Sequence, residues 1–139
     1  MNPLMTRKLG IAMSVLVCAI IHPARVDAQP ITQQAYLKPA AVGSTQAVDL
    51  FGDAVAVSGD TAVVGAWYED SSSTGVNSTP NEGAPDAGAA YVYVRSGGVW
   101  TQQAYLKPAA VGATQEGDNF GFSVAISGDT IAIGAWHED

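Results

Sequence analysis

The sequence predicts an all-β fold made of repeated four-stranded antiparallel sheets, and two observations support this prediction. Residues 32–70 return without a gap as residues 101–139, at an offset of 69, and 28 of the 39 aligned residues are identical. Within each copy, short runs rich in β-branched residues alternate with turns rich in Gly, Asp, Ser and Asn, which is the pattern of strands. Repetition at a fixed period indicates supersecondary units that bury their apolar faces by stacking on one another.

Four strands are predicted in each repeat. The first two form a hairpin, because Gly59-Asp60 suits a tight turn between them. They are apolar on both faces, as expected of strands that lie between two neighbouring sheets, whereas the fourth strand is mixed in polarity and fits an outer position. A copy of the fourth strand also stands alone ahead of the first repeat. The predicted strands are residues 54–58, 61–66, 89–94 and 99–106, with the isolated outer strand at 31–37.

Small four-stranded sheets with apolar inner strands describe the blades of a β-propeller. A stacked β-solenoid is the alternative, but its usual repeat is much shorter. The sequence would provide a complete blade at about 51–106 and half a blade at about 120–135. Since even four blades need roughly 276 residues, we expect an incomplete propeller of about one and a half repeats, the N-terminal piece of a longer one. Several copies assembling a ring is the alternative. Exposed edges and apolar seams would make the isolated fragment self-associate.

The first 28 residues follow the plan of a secretory signal peptide, with two basic residues ahead of an apolar run at 11–21. That run is too short for the roughly 20 residues that span a bilayer, and a buried N-terminal helix is the alternative. Cleavage is predicted between Ala28 and Gln29, so that we expect a secreted or cell-surface protein without a transmembrane segment in the mature chain. Cys18 would leave with the signal, and the mature chain at 29–139 would then have no disulfide.

The charge of the predicted mature chain limits its partners. Three basic residues stand against twelve carboxylates in residues 29–139, a formal net charge of −9. Nucleic acid is an unsuitable partner, because its sequence-independent affinity depends on Lys and Arg displacing counterions from phosphates.

Two glycine-containing motifs recur at one spacing. Phe51-Gly52 is followed after twelve residues by Gly65-Ala66-Trp67, and the second copy repeats the arrangement with Phe120-Gly121 and Gly134-Ala135-Trp136. This pattern resembles the FG-GAP repeat of integrin α-subunit propellers and their bacterial secreted relatives, with Trp where that motif has Pro. The resemblance covers residues 31–139. It implies a propeller, and similar propellers serve adhesion, scaffolding, ligand capture and occasionally catalysis.

The motif residues themselves are expected to have structural roles. Phe51 and Phe120 are apolar anchors that can fill the seam between blades. Gly52 and Gly121 have no Cβ, so that the backbone can bend or approach a neighbouring blade closely. Small residues at the end of the second strand also permit close packing: Gly65, Ala66, Gly134 and Ala135.

Calcium is the one cofactor that the composition suggests, and no other is expected. Integrin-type repeats, which the motif resembles, have an Asp-rich calcium loop between the inner strands. Here that place holds a single carboxylate, Asp60, which cannot supply the six to eight oxygen ligands that calcium prefers. The long acidic segment at 67–88 remains as a candidate, with Glu69, Asp70 and Asp86 as possible ligands; a merely solvated loop is the alternative.

Aromatic and acidic residues stand together at 67–70 and at 136–139, as expected of a sugar-binding surface. Adjacent acids on an extended chain point to opposite sides, which argues against a glycosidase pair. His137 has Tyr68 at the matching place, so that no repeated histidine exists. We expect no catalytic residues and a module for adhesion or for binding a protein or glycan. The alternative is a carbohydrate-binding or carbohydrate-active propeller whose site lies in further blades.

Overall fold

Antiparallel strand pairing organises the chain in the computed structural model, which describes residues 32–40, 48–109 and 115–138. The strands are paired as hairpins into one sheet of order β1-β2-β3-β4, the first blade, and one two-stranded sheet of β5 and β6, the second blade. The prediction of an all-β fold with incomplete propeller blades is confirmed. The strands are β1 Val55–Ser58, β2 Thr61–Ala66, β3 Ala89–Ser96, β4 Val99–Leu106, β5 Ser123–Ser127 and β6 Thr130–Gly134.

Glycines set the two hairpin turns of the first blade. Gly59 has a φ of 57° between β1 and β2, and Gly97 and Gly98 have φ values of 56° and 82° between β3 and β4. Positive φ at the first central residue of one turn and at both central residues of the other matches the twist of the flanking strands. The pair Ser96↔Val99 closes the second turn, so that β3 extends two residues beyond its predicted end at 94.

The first blade has two buried faces of different composition. Its front face carries Ala62, Val64 and Ala66 from β2 with Tyr91 and Tyr93 from β3. Its rear face carries Val63, Ala90 and Val92. These sets alternate along each strand, because successive side chains of a strand point to opposite sides. The partly buried side chains packed against the front face are Leu37, Phe51 and Trp100, and those packed against the rear face include Phe120, Val124, Ile126, Ile131 and Ile133.

Stacking of the second blade on the rear face of the first therefore forms the centre of the described structure. The side chains of β5 and β6 that face the first blade are the apolar ones, and those on the opposite side are small or polar. This is the arrangement expected of repeats that bury their apolar surface against a neighbour rather than within themselves.

The predicted outer strand at 31–37 is wrong for the residues that can be described, since 32–40 pair with no sheet. Residues 101–109 have the identical sequence, and 101–106 already pair with β3 as part of β4, so that the edge of β3 is not open to the earlier copy. Residues 32–40 instead lie on the front side, where Leu37 packs against the core and the Ala40 amide donates to Gln102 Oε1 at 2.9 Å. Ile31 and the predicted signal peptide lie outside the described residues.

Candidate functional site

Aromatic and acidic side chains gather where β2 and β6 end, and glycine contacts determine their positions. Gly121 enters the second blade with its backbone against the first: a Cβ at this position would overlap the carbonyl oxygen of Ala89. A Cβ on Gly65 would likewise overlap the carbonyl oxygen of Gly121. The Gly-Ala-Trp end of β2 therefore meets the Phe-Gly start of the second blade, which brings the aromatic residues of both repeats to the same edge.

Five rings form a continuous row across the two blades, and we call this set the aromatic row. Trp67 contacts Tyr68 at 3.8 Å between ring centroids and Phe122 at 5.5 Å. Phe122 contacts Trp136 edge to face at 4.4 Å, and Trp136 stacks on His137 at 5.7 Å. Trp136 is 60% exposed. The row therefore presents an apolar surface that is exposed to solvent at Trp136.

Carboxylates and backbone carbonyls hold the aromatic row in place. Asp53 accepts a hydrogen bond from Trp67 Nε1 at 2.8 Å. The Asp118 carbonyl oxygen accepts from the amides of Trp136 at 3.1 Å and His137 at 3.2 Å. The turns that carry the two tryptophans are consequently fixed by acidic residues of the Phe-Gly segments.

Behind the row lies a buried ionic network centred on Glu69. Lys107 Nζ donates to Glu69 Oε2 at 3.2 Å and to the Gly88 carbonyl oxygen at 2.6 Å. Tyr105 Oη donates to Glu69 Oε1 at 2.8 Å, and the Ser71 amide donates to Oε2 at 3.1 Å. The side chains of Lys107 and Glu69 are 0% and 5% exposed. The network ties the end of β2, the start of β3 and the end of β4 to one another.

Burial changes the acid–base properties of this region. It lowers the pKa of Lys107, while the carboxylate of Glu69 acts in the opposite direction. Burial also raises the pKa of Asp49 to about 6, and the negative charges of Glu69, Asp70 and Glu82 add to the rise. Several negative charges therefore surround the buried carboxyl group of Asp49, beside the aromatic row.

The long loop between β2 and β3 is held by its own hydrogen bonds. Asp70 Oδ1 accepts from the Asp86 amide at 2.8 Å. Ser71 is fully buried, and its Oγ accepts from the Asn81 amide at 3.0 Å. Asn77 pairs with β4, because its amide donates to the Tyr105 carbonyl oxygen at 2.8 Å and its Oδ1 accepts from the Tyr105 amide at 2.9 Å. The loop thus covers part of the outer edge of the sheet, which would otherwise be an unpaired edge.

Two of the three residues expected as calcium ligands, Glu69 and Asp70, accept hydrogen bonds from the protein itself. Glu69 is bonded to Lys107, Tyr105 and Ser71, and Asp70 supports the backbone of Asp86. Within the described ranges, no group of three or more His, Cys, Asp or Glu side chains is arranged to hold a metal ion. Calcium binding by this loop stays a prediction.

The motif residues lie close to the seam between the blades, and other residues of the site were not predicted from the sequence. Phe51 and Phe120 pack on opposite faces of the first blade, and Gly65, Gly121 and the Ala89 backbone meet in the seam. Sequence reasoning missed three residues of the Glu69 network, Lys107, Tyr105 and Ser71. It also missed Phe122 of the aromatic row and the buried Asp49. No signal in the sequence identifies Tyr105 and Lys107, since their counterparts Tyr36 and Lys38 in the identical segment 32–40 are exposed.

Comparison with protein families agrees with this geometry. The family model for the FG-GAP repeat matches residues 32–93 and 100–139. The chain therefore belongs to the FG-GAP repeat family, as the spacing of its motifs predicted. No curated protein and no solved structure matches the chain. No helix in the part of the chain that the structure describes is long and apolar enough to cross a membrane.

Proposed function

We propose that this protein is a secreted or cell-surface β-propeller module that binds a protein or another ligand for adhesion and has no catalytic activity. The observation that supports this most strongly is the aromatic row, which continues from one blade to the next and includes the exposed ring of Trp136. Aromatic side chains provide large contact areas at low entropic cost and are enriched in binding surfaces. FG-GAP repeats are also typical of extracellular proteins.

The Glu69 network argues against a catalytic role for its carboxylate. Glu69 is the most buried acid of its segment, but its oxygens accept hydrogen bonds from Lys107, Tyr105 and Ser71. A general acid or base must reach the proton of a substrate, and a carboxylate enclosed in this way is suited to holding strands together. The same bonds leave Glu69 unsuited to binding calcium, and we propose that the module works without a bound cofactor.

A glycan is the second candidate ligand, and the exposure of Trp136 favours it. The indole ring is 60% exposed and stacks on His137, with Glu138 next in the chain. A flat aromatic surface beside carboxylate acceptors suits the apolar face and the hydroxyl groups of a sugar. A carbohydrate-active site in further blades would be compatible with this surface.

Binding assays on row variants test the proposal. The full chain, Trp136→Ala and the control Tyr36→Ala are each applied to an array of extracellular matrix proteins and to an array of oligosaccharides. Tyr36 is 75% exposed and does not belong to the row. We expect binding to at least one array that Trp136→Ala weakens at least tenfold and Tyr36→Ala retains. No binding to either array, or binding that both variants retain, would refute the aromatic row as the binding surface.

A further inference from the structure

A cavity on the front side of the first blade contains a buried acid. Residues 36–39 and residues 48–52 line this cavity together with Ala66, and its volume is about 500 Å³, which is typical of pockets that bind small groups. A Cβ on Gly52 would meet no atom within 4 Å, so that open space adjoins the backbone there. Two segments of this chain therefore form a cavity that can hold a ligand.

Asp49 is the acid that lines the cavity, and its side chain lacks a partner. The residue is 8% exposed. Within the described ranges, its carboxylate accepts no hydrogen bond and forms no ion pair. A buried charge is costly unless an opposite charge or hydrogen bonds compensate it, and the pKa of Asp49 is correspondingly raised to about 6. A cation in the cavity would supply the missing compensation.

The charges around Asp49 favour a cation over an anion. Three further carboxylates act on Asp49 as negative charges: Glu69, Asp70 and Glu82. Lys38 is the basic residue of the lining, but its side chain is exposed and its Nζ lies 5.8 Å from the centroid of the Tyr36 ring. Lys38 forms no ion pair with a described residue. The carboxylate of Asp49 is thus available to a cation from another molecule.

The lining beside Asp49 is apolar, which limits the kind of cation. Leu37 and Phe51 pack against the front-face core, and Phe51 contacts the ring of Tyr91 edge to face at 5.5 Å. A calcium ion would need six to eight oxygen ligands, but Asp49 is the one acid among the described residues of the lining. An ammonium group on an aliphatic chain fits better, because its charge can pair with Asp49 while its methylene groups cover Leu37 and Phe51.

The second repeat shows which cation the acid at this position accommodates. Asp118 is the counterpart of Asp49 at the offset of 69 and is 4% exposed. Its negative charge favours the charged form of the buried Lys107 ammonium group. The equivalent acids of the two repeats therefore differ in one respect: Asp118 acts on the side chain of a lysine, and Asp49 has no such partner among the described residues.

We propose that this cavity binds the side chain of a lysine from a partner protein, with the ammonium group donating to the carboxylate of Asp49. A free polyamine is less suitable, since its second ammonium group would find no further acid among the described residues of the lining. No ring of the aromatic row lines the cavity. The lysine site is therefore independent of ligand binding by that row.

Titration of Nα-acetyl-lysine amide into the full chain at pH 7.5, followed by NMR at the amides of Phe51 and Gly52, tests the proposal. We expect saturable binding. Nα-acetyl-norleucine amide, which has the same aliphatic chain without the ammonium group, should bind at least tenfold more weakly. No saturable binding of the lysine probe, or equal binding of the two probes, would overturn the proposal. Tighter binding of spermidine than of the lysine probe would overturn the assignment to a lysine side chain.

Variants of the lining locate the binding site. Asp49→Asn should weaken binding of the lysine probe at least tenfold, whereas Asp129→Asn, which removes an exposed acid outside the cavity, should retain it. Lys38→Met should bind the probe at least as tightly as the wild type, because it removes a positive charge from the lining. Binding should also weaken at least tenfold at pH 4.5, where Asp49 is protonated and the probe stays charged. Undiminished binding by Asp49→Asn or at pH 4.5 would contradict the site.

Discussion

The backbones of Gly65 and Gly121 touch each other, because a Cβ on Gly65 would overlap the carbonyl oxygen of Gly121. Gly121 also donates its amide to Gly134 within its own blade at 3.1 Å, as Gly52 does to Gly65 at 3.0 Å. Each Phe-Gly motif therefore pairs with the Gly-Ala of its own repeat, and in the second blade it also packs on that of the preceding repeat. The motif thus forms the contact between successive repeats, and this explains its fixed spacing.

This contact predicts that the same Gly→Ala substitution lowers the free energy of unfolding by different amounts in the two repeats. Gly65→Ala would force the Gly121 backbone away, and overpacking of this kind costs about 1–3 kcal/mol of the free energy of unfolding. Gly134→Ala meets only the Ser123 hydroxyl, which can rotate away, and should change stability by less than about 0.5 kcal/mol. Urea unfolding of both variants checks the difference. Equal effects would contradict the contact between blades.

The buried ion pair predicts a second matched comparison. Lys107→Met leaves Glu69 buried without its cation, which costs about 3–5 kcal/mol. Lys38→Met changes the same residue of the identical sequence at an exposed position, where the expected effect is below about 0.5 kcal/mol. Thermal and urea unfolding provide the measurement. The double variant Lys107→Met/Glu69→Gln should recover part of the loss, since no charge is then left buried and the amide oxygen of glutamine can still accept from Tyr105.

Asp49 predicts a change of stability with pH. Its pKa is raised from 3.8 to about 6 by burial and neighbouring carboxylates, so that the folded chain binds more protons than the unfolded chain between these pH values. Stability is therefore lost as pH rises from about 4 to 6. Asp49→Asn should remove that loss, making the variant more stable than the wild type at pH 7 and similar to it at pH 3.5. Urea unfolding at both pH values checks this, and an Asp49→Asn variant whose stability follows the pH dependence of the wild type would contradict it.

Removing the hydroxyl group should change stability differently at two tyrosines of the core, Tyr93 and Tyr105. Tyr93 Oη is buried and has no hydrogen-bond partner among the described residues, and Tyr93→Phe should leave stability unchanged or raise it. Tyr105 Oη donates to the Glu69 carboxylate, and hydrogen bonds to charged groups contribute about 1.5–3 kcal/mol. Tyr105→Phe should therefore destabilise the chain by that amount. Urea unfolding of both variants would contradict the account if the order were reversed.

Much of the fold could be predicted because local patterns determine it. The Gly59-Asp60 and Gly97-Gly98 turns and the alternation along β1 to β6 identify the hairpins without any long-range information. The predicted outer strand at 31–37 failed for the opposite reason. Its sequence suits a sheet edge as well as that of β4 does, but β4 follows β3 through the Gly97-Gly98 turn and therefore takes the edge of β3.

The candidate site was only partly predictable. Trp67 and Trp136 stand out in the sequence as aromatic residues beside acids, but Phe122 joins them only through the packing of one blade on another. Glu69 was taken for a candidate metal ligand, because nothing nearby in the chain shows that Lys107, 38 positions later, lies against it. The pairings of β2 with β3 and of β3 with β4 bring Glu69 and Lys107 together, and the register of these pairings is not visible in the sequence.

Amide hydrogen exchange at low protein concentration tests the central claim, the docking of the second blade on the first, most directly. The amides of Asn119 and Phe120 donate to carbonyl groups of the first blade, whereas those of their repeat counterparts Leu50 and Phe51 donate to no backbone acceptor within the described residues. We predict that Asn119 and Phe120 exchange at least a hundredfold more slowly than Leu50 and Phe51, since exchange requires the seam to open. Equal exchange at the two pairs would contradict the stacked blades.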